Sequence, residues 1–156
     1  MLAASPVAAI RASTTPPSYV MLPTIPQLTV LYDGGCPICL REVRFLQQRN
    51  HAGYLAFIDI NSPDYDPDHN AGITYREAMV RIHAIRLDGH VLRDVAVFRE
   101  AYRLIGLGWV YAPTTWPVVS FLADKVYALW AWQRLRITGR ANLETLCACQ
   151  QAHSMP

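Results

Sequence analysis

The chain contains no long uninterrupted hydrophobic run. Its most apolar stretch, residues 109–132, is broken by Pro113, Pro117, Asp124 and Lys125, whereas a membrane-spanning helix needs about 20 consecutive, predominantly apolar residues. The stretch therefore reads as a buried helix. Membrane contact through residues 109–132 is the minor reading, because Trp and Tyr suit a membrane interface. An excess of one charge is lacking too: 14 Lys and Arg against 12 Asp and Glu leave a formal net charge of +2. The basic residues are scattered, so no nucleic-acid partner is expected, since such partners demand a basic cluster. Four cysteines are too few for a small secreted disulfide scaffold. No internal repeat is visible.

What is there is globular. With 52% hydrophobic and 17% charged residues, the 156-residue chain has the apolar material for one folded domain. That material is unevenly spread: residues 1–26 hold five of the eleven prolines and a single charge, Arg11. The reading divides the chain into a disordered or targeting-like extension (1–26), a folded domain (27–137) and a C-terminal tail with a short helix (138–156). A secretory signal places its positive charge before the apolar stretch; here Arg11 follows it. The expected location is cytoplasmic. An organelle is the alternative if the first 20 residues, rich in Ala, Ser and Thr and free of acids, form a transit peptide; Met21 is an alternative start.

Leu28 to Tyr32 is β-prone, with apolar residues on both alternating sets, as in a strand buried on both faces. Asp33-Gly34-Gly35 then makes a turn. From Pro37 the periodicity is helical: Cys39, Val43 and Leu46 share one stripe, and Arg41, Arg44 and Gln48 another. Pro37 suits the first turn, and the helix should end near Asn50 to Gly53. Tyr54 to Ile60 reads as a second strand, which completes a βαβ unit with parallel strands. Asn61 to Asn70 is a solvated loop by composition. A metal site from Asp64, Asp66, Asp68 and His69 is disfavoured, because the run lacks the glycine and distal glutamate of a calcium loop.

Thr74 to Arg81 is predicted as a short helix with Thr74 and Glu77 forming a capping box. Ile82 to Leu87 and His90 to Arg93 flank an Asp88-Gly89 turn as a hairpin. Asp94 is placed to cap a helix whose stripe is Phe98, Ala101, Tyr102 and Ile105, stopped by Gly106 and Gly108. An apolar helix follows from about Pro117 to Arg134, and a weaker one between Asn142 and Cys149. The order is α/β: a βαβ unit, then ββα, then an additional C-terminal apolar helix.

The chemistry concentrates at Cys36-Pro37-Ile38-Cys39. Cys36 falls at the start of a helix, where free N–H groups and the dipole favour a thiolate. Cys39 lies one turn in, on the stripe of Val43 and Leu46, and should be the less exposed thiol. This asymmetry suits two-step exchange: Cys36 attacks a substrate disulfide and Cys39 resolves the mixed disulfide. Asp33, three residues earlier, either shapes the turn or moves a proton. Zinc would need two further ligands, which Cys147 and Cys149 could supply only with Cys-x-Cys spacing near a C-terminus. No metal and no cofactor are expected. A Cys-based phosphatase is excluded, because Glu42 and Phe45 stand where its arginine would be.

Tyr32-Asp33-Gly34-Gly35-Cys36-Pro37-Ile38-Cys39, directly after a short apolar strand, resembles the signature of the DCC family of thiol-disulfide oxidoreductases. The Asp88-Gly89 hairpin with Ala96, and Ala123-Asp124 with Tyr127 and Arg134, are similar to the family's second half. The resemblance covers roughly residues 27 to 137. It implies a thioredoxin-like fold, with Cys36 as nucleophile, Cys39 as resolving thiol and Asp33 as the third signature residue. It also implies a disulfide- or dithiol-bearing partner, a protein by analogy. One departure from thioredoxins proper is that residues 71–87 lack the proline that would face the cysteines, so the substrate groove should differ. The alternatives are a non-catalytic redox-sensing or protein-binding module, or a zinc-stabilised domain.

Overall fold

The computed structural model describes residues 25–153; the targeting segment and the Met21 start therefore lie outside the described residues. Strand β1 (Leu28–Tyr32) leads into helix α1 (Pro37–Arg49), and the chain returns as β2 (Leu55–Asp59). β1 and β2 pair in parallel with Tyr32 opposite Asp59. Helix α2 (Tyr75–Val80), strands β3 (His83–Arg86) and β4 (Val91–Arg93) and helix α3 (Val95–Leu104) follow. The sheet order is β2-β1-β3-β4, with β3 antiparallel to both β1 and β4. This is the expected βαβ unit followed by ββα, a thioredoxin-like α/β arrangement.

The central position of β1 explains its two-sided apolar pattern. Leu28 and Val30 join Leu46, Leu55, Val97 and Ala101 in one core cluster. Leu31, which points to the other face as alternation requires, packs with Ile60, Ile73 and Met79 in a second. In α1 the predicted stripe holds: Val43 and Leu46 are buried, while Arg41, Arg44 and Gln48 are exposed. Asn50 ends α1 and staples it to β2, accepting from the Leu55 N–H at 3.0 Å and donating to the Leu55 carbonyl at 2.7 Å. The Thr74–Glu77 capping box is present at the start of α2, and Gly89 makes the hairpin turn with φ +82°.

Two readings are corrected. Asp94 precedes α3 but makes no side-chain cap; it adopts φ 55° and ψ −133°, a backbone conformation that L side chains rarely adopt. Its carboxylate instead pairs with Arg81 at 3.1 Å. The second correction concerns the helix read as buried. After two short turns, α4 (Gly108–Tyr111) and a 3-10 segment (Ala112–Thr115), helix α5 runs over Pro117–Ile137. Phe121, Leu122, Val126, Leu129 and Trp132 on it are between 58% and 71% exposed. Among the described residues the stripe through Tyr127, Trp130, Ala131 and Leu135 meets the domain: the Tyr127 hydroxyl accepts from the Ile82 N–H at 3.0 Å, Trp130 shares a cavity wall with Val43 and Phe98, Ala131 is buried, and Leu135 packs against the second cluster. The domain covers one stripe of a helix that is apolar nearly all round, and composition cannot say which. The Arg134 side chain lies outside the described residues. No helix among the described residues is long and apolar enough to cross a membrane.

Helix α6 (Leu143–His153) packs back towards α2. Leu143 and Leu146 join the second cluster, and Arg76 pairs with Glu144 at 2.6 Å.

Candidate functional site

Parallel pairing brings the C-terminal ends of β1 and β2 to one edge of the sheet, where α/β proteins usually place their sites. The turn after β1 carries Asp33, Gly34, Gly35 and Cys36. Asp33 is buried, and its Oδ1 accepts from the Gly35 N–H at 2.9 Å, so the turn-shaping reading of this residue holds. The same oxygen accepts from Asn61 Nδ2 at 2.7 Å and lies 3.3 Å from an Arg140 guanidinium nitrogen. Asp59, at the end of β2, accepts from the N–H groups of Gly34 and Asn61, both at 2.9 Å. Tyr75 donates to Asn61 Oδ1 at 3.1 Å. Burial and, after it, the negative charge of Asp33 push the Tyr75 phenol up.

This network gives the two glycines their reason. A Cβ on Gly34 would collide with the Asp59 carboxylate, and one on Gly35 would collide with the Arg140 guanidinium. Neither clash involves a left-handed backbone; at both positions a charged side-chain end lies directly against the turn and would have to move to admit a Cβ.

Cys36 is the N-cap of α1, with extended φ −99° and ψ 116°, and its side chain makes no cap hydrogen bond. Its N–H donates to the Asp33 carbonyl at 3.1 Å, and its own carbonyl accepts the first helical bond from Leu40 at 3.0 Å. Pro37 occupies the first helical turn, as its missing N–H allows. None of the four cysteines is in a disulfide. Cys39 lies one turn further along α1, so the two side chains stand on neighbouring positions of one helix face.

The exposure order is the reverse of the one expected. Cys36 is 1% exposed, whereas Cys39 is half-buried. The reading from the stripe counted only α1 and missed what covers the turn: Arg140, from beyond α5, lies across Gly35. Cys39 instead lines a cavity of about 230 Å³ that it shares with Asp33, Glu42, Phe98, Tyr127 and Trp130. One Asp33 oxygen, Oδ2, is buried without a hydrogen-bond partner among the described residues, as is Arg140 Nε. Glu42 accepts from the Tyr102 hydroxyl at 2.9 Å, and burial together with that bond drives the Tyr102 phenol strongly upward.

Cys147 and Cys149 lie on α6. Cys147 sits beside Tyr75 and Arg76, and Cys149 is exposed. Among the described residues no three His, Cys, Asp or Glu side chains are gathered so as to hold a metal ion. In the 61–70 loop, Asp66 is engaged locally by the Asp68 N–H at 2.9 Å and by His69 at 2.7 Å.

Asp59, Asn61, Tyr75 and Arg140 escaped the sequence reading. For Asp59 and Asn61 a signal existed: polar residues at the end of the second parallel strand fall on the same edge as the first turn. Arg140 carries no local signal, because its place depends on how the chain returns after α5.

Residues 30–140 match the family of DCC1-like thiol-disulfide oxidoreductases, and the chain belongs to that family. It is also similar to an uncharacterised, chloroplastic protein of Arabidopsis thaliana, with 46% identity over 121 residues, 77% of this chain and 56% of the relative. The chain thus spans little more than half the length of that relative. No solved structure matches.

Proposed function

We propose that the chain is a thiol-disulfide oxidoreductase in which Cys36 and Cys39 cycle between dithiol and disulfide. The observation that carries this reading is the placement of the pair, one turn apart at the N-terminus of α1 and beside the buried carboxylate of Asp33. In the reductive direction a substrate disulfide accepts two electrons and leaves as two thiols, while the pair becomes an intramolecular disulfide. Asp33 has two parts in this reading. Its Oδ1 holds the turn and the Asn61–Arg140 network in place, and its Oδ2, buried and unpartnered, is available to take up or release a thiol proton. The partner is a disulfide- or dithiol-bearing molecule.

A redox titration tests the proposal. The wild-type chain should follow a two-electron transition, and Cys36→Ser and Cys39→Ser should each abolish it. A transition that survives either substitution would sink the reading. Asp33→Asn should leave the couple but flatten the pH profile of the exchange rate.

The exposed apolar face of α5 favours a second reading, a non-catalytic redox-sensing or binding module. Such a protein would oxidise once, yet fail to turn over a model disulfide in the presence of excess reductant.

For localisation, two observations support the organellar alternative over the cytoplasmic one: the chloroplastic description of the Arabidopsis relative and the acid-free composition of residues 1–20. Imaging a fluorescent fusion of the full chain beside one starting at Met21 tests this. Retention of both in the cytoplasm would refute it.

A further inference from the structure

The two thiols of the pair meet different surroundings: among the described residues Cys39 lines a cavity, and Cys36 is not part of that lining. Cys36 is 1% exposed and follows directly the turn on which Arg140 lies. Cys39 lines the cavity of about 230 Å³ between the sheet, α1, α3 and α5. An apolar cavity of about 150 Å³ already accommodates benzene, so the space suits a small organic molecule and not a folded chain. Its wall is made mainly of aliphatic and aromatic side chains, among them Val43, Leu46, Phe98, Tyr127 and Trp130. The charged groups in the wall are Asp33 and Glu42; no Lys, Arg or His lines it among the described residues. An anionic substrate would face the Glu42 carboxylate and that of Asp33, whose Arg140 partner lies outside the lining, and a strongly polar one would lose hydration for few replacement partners in a mainly apolar wall. Ile38, 43% exposed, also lines the cavity and stands at its rim.

We infer that the substrate is a small, uncharged, apolar disulfide that enters this cavity, and that Cys39 is the thiol that attacks it. The inference rests on the oxidoreductase reading above and reverses the order of attack suggested by the position of Cys36 at the helix start. In the first step the Cys39 thiolate forms a bond to one substrate sulfur. The substrate S–S bond breaks, and the departing thiolate takes up a proton. In the second step the Cys36 thiolate attacks Cys39 Sγ. The Cys36–Cys39 disulfide forms, and the second substrate thiol leaves with a proton. The two protons equal those given up by the cysteine thiols, and the two electrons gained by the substrate are those lost by the pair.

Pre-reduced full-length protein, used in single turnover, needs no added reductant and provides the test. Dipropyl disulfide and bis(2-hydroxyethyl) disulfide have the same shape and the same alkyl disulfide chemistry, and differ by a methyl or a hydroxyl at each end. The apolar probe should oxidise the protein at least roughly tenfold faster, from burial of two methyl groups in place of two hydroxyls. Trp130→Ala, which removes one wall, should bring the ratio below about threefold. In Cys36→Ser, dipropyl disulfide should leave a mixed disulfide mapped to Cys39 by mass spectrometry. In Cys39→Ser, modification of Cys36 should be at least roughly tenfold slower, because the substrate cavity does not border it. Equal rates for the two probes, or faster capture at Cys36, would overturn the inference and leave the oxidoreductase reading standing. Failure of both probes to oxidise the pair would remove both. The probe ratio and the mapping need no wall variant, so misfolding of Trp130→Ala does not shield the inference.

Discussion

Cys36 and Cys39 are separated by a single helical turn, yet their neighbourhoods are opposites. On the Cys36 side, Asp33, Asp59, Asn61, Tyr75 and Arg140 form a hydrogen-bonded network that packs directly on Gly34 and Gly35. On the Cys39 side, the wall is mainly aliphatic and aromatic, with Asp33 at its border to the polar network and Glu42 tied to Tyr102. The contrast teaches that the residue at the helix start is not automatically the one that meets solvent. A helix N-terminus supplies an electrostatic preference, but access is decided by whatever covers the turn.

The sharpest way to break this contrast is to remove the cover. Arg140→Ala leaves the Asp33 carboxylate buried without its cation and should cost about 3 kcal/mol of stability, the lower end for breaking a buried pair, because Arg140 keeps 20% of its side chain exposed. Urea unfolding measures the loss. Alkylation should show Cys36 reacting faster than in wild type and Cys39 unchanged; an unaltered Cys36 rate would mean that Arg140 is not the cover. Adding Asp33→Asn to that variant should restore part of the stability, since the stranded charge is gone.

Gly34→Ala comes next. The added methyl displaces the Asp59 carboxylate, and the Gly34 N–H loses its acceptor, so about 2 kcal/mol should be lost. Thermal unfolding would show whether the turn tolerates the change; no shift in midpoint would contradict the close approach of Asp59.

On the apolar side, Tyr102→Phe removes the donor to Glu42 and should cost about 1 kcal/mol. It should leave alkylation of Cys36 unchanged, because the two networks share no member. A matching rise in Cys36 labelling would show that the two sides are coupled.

The smallest effect should be common to both sides. His83 on β3 is buried opposite Leu31 of β1, with Nδ1 at 3.0 Å from the Arg81 carbonyl. Burial, more than any other cause, holds its imidazole below the usual histidine range. Between that lowered folded value and the ordinary value near 6.5, the unfolded chain binds the proton more readily than the folded one, so stability should fall as pH drops through this window. At higher pH, with the ring neutral in both states, the contribution is fully present. His83→Gln should flatten the slope of unfolding free energy against pH in that window; an unchanged slope would assign it to another group.

Much of the fold was legible in local pattern. The two-sided apolar run of β1, the α1 stripe through Val43 and Leu46, the Thr74–Glu77 capping box and the Asp88-Gly89 hairpin each depend on neighbours within one or two turns, and each was found. Asp94 failed as a cap because a residue type favours a cap without excluding φ 55° and an ion pair with Arg81. Helix α5 was misread as buried because its sequence is apolar on almost every face, and only packing chooses the stripe.

The sequence by itself determined the dithiol pair, its position at a helix start and the glycines beside it, because these follow from spacing and from backbone rules that act over a few residues. Tertiary structure alone decided which thiol is covered. Arg140 and Asn61 are far from Cys36 along the chain, and they reach the turn only because parallel pairing brings Asp59 and Asn61 to the edge of β1 and the segment after α5 folds back over Gly35. Long-range placement of this kind arises from the mutual burial of whole elements, and no local pattern of residues encodes it.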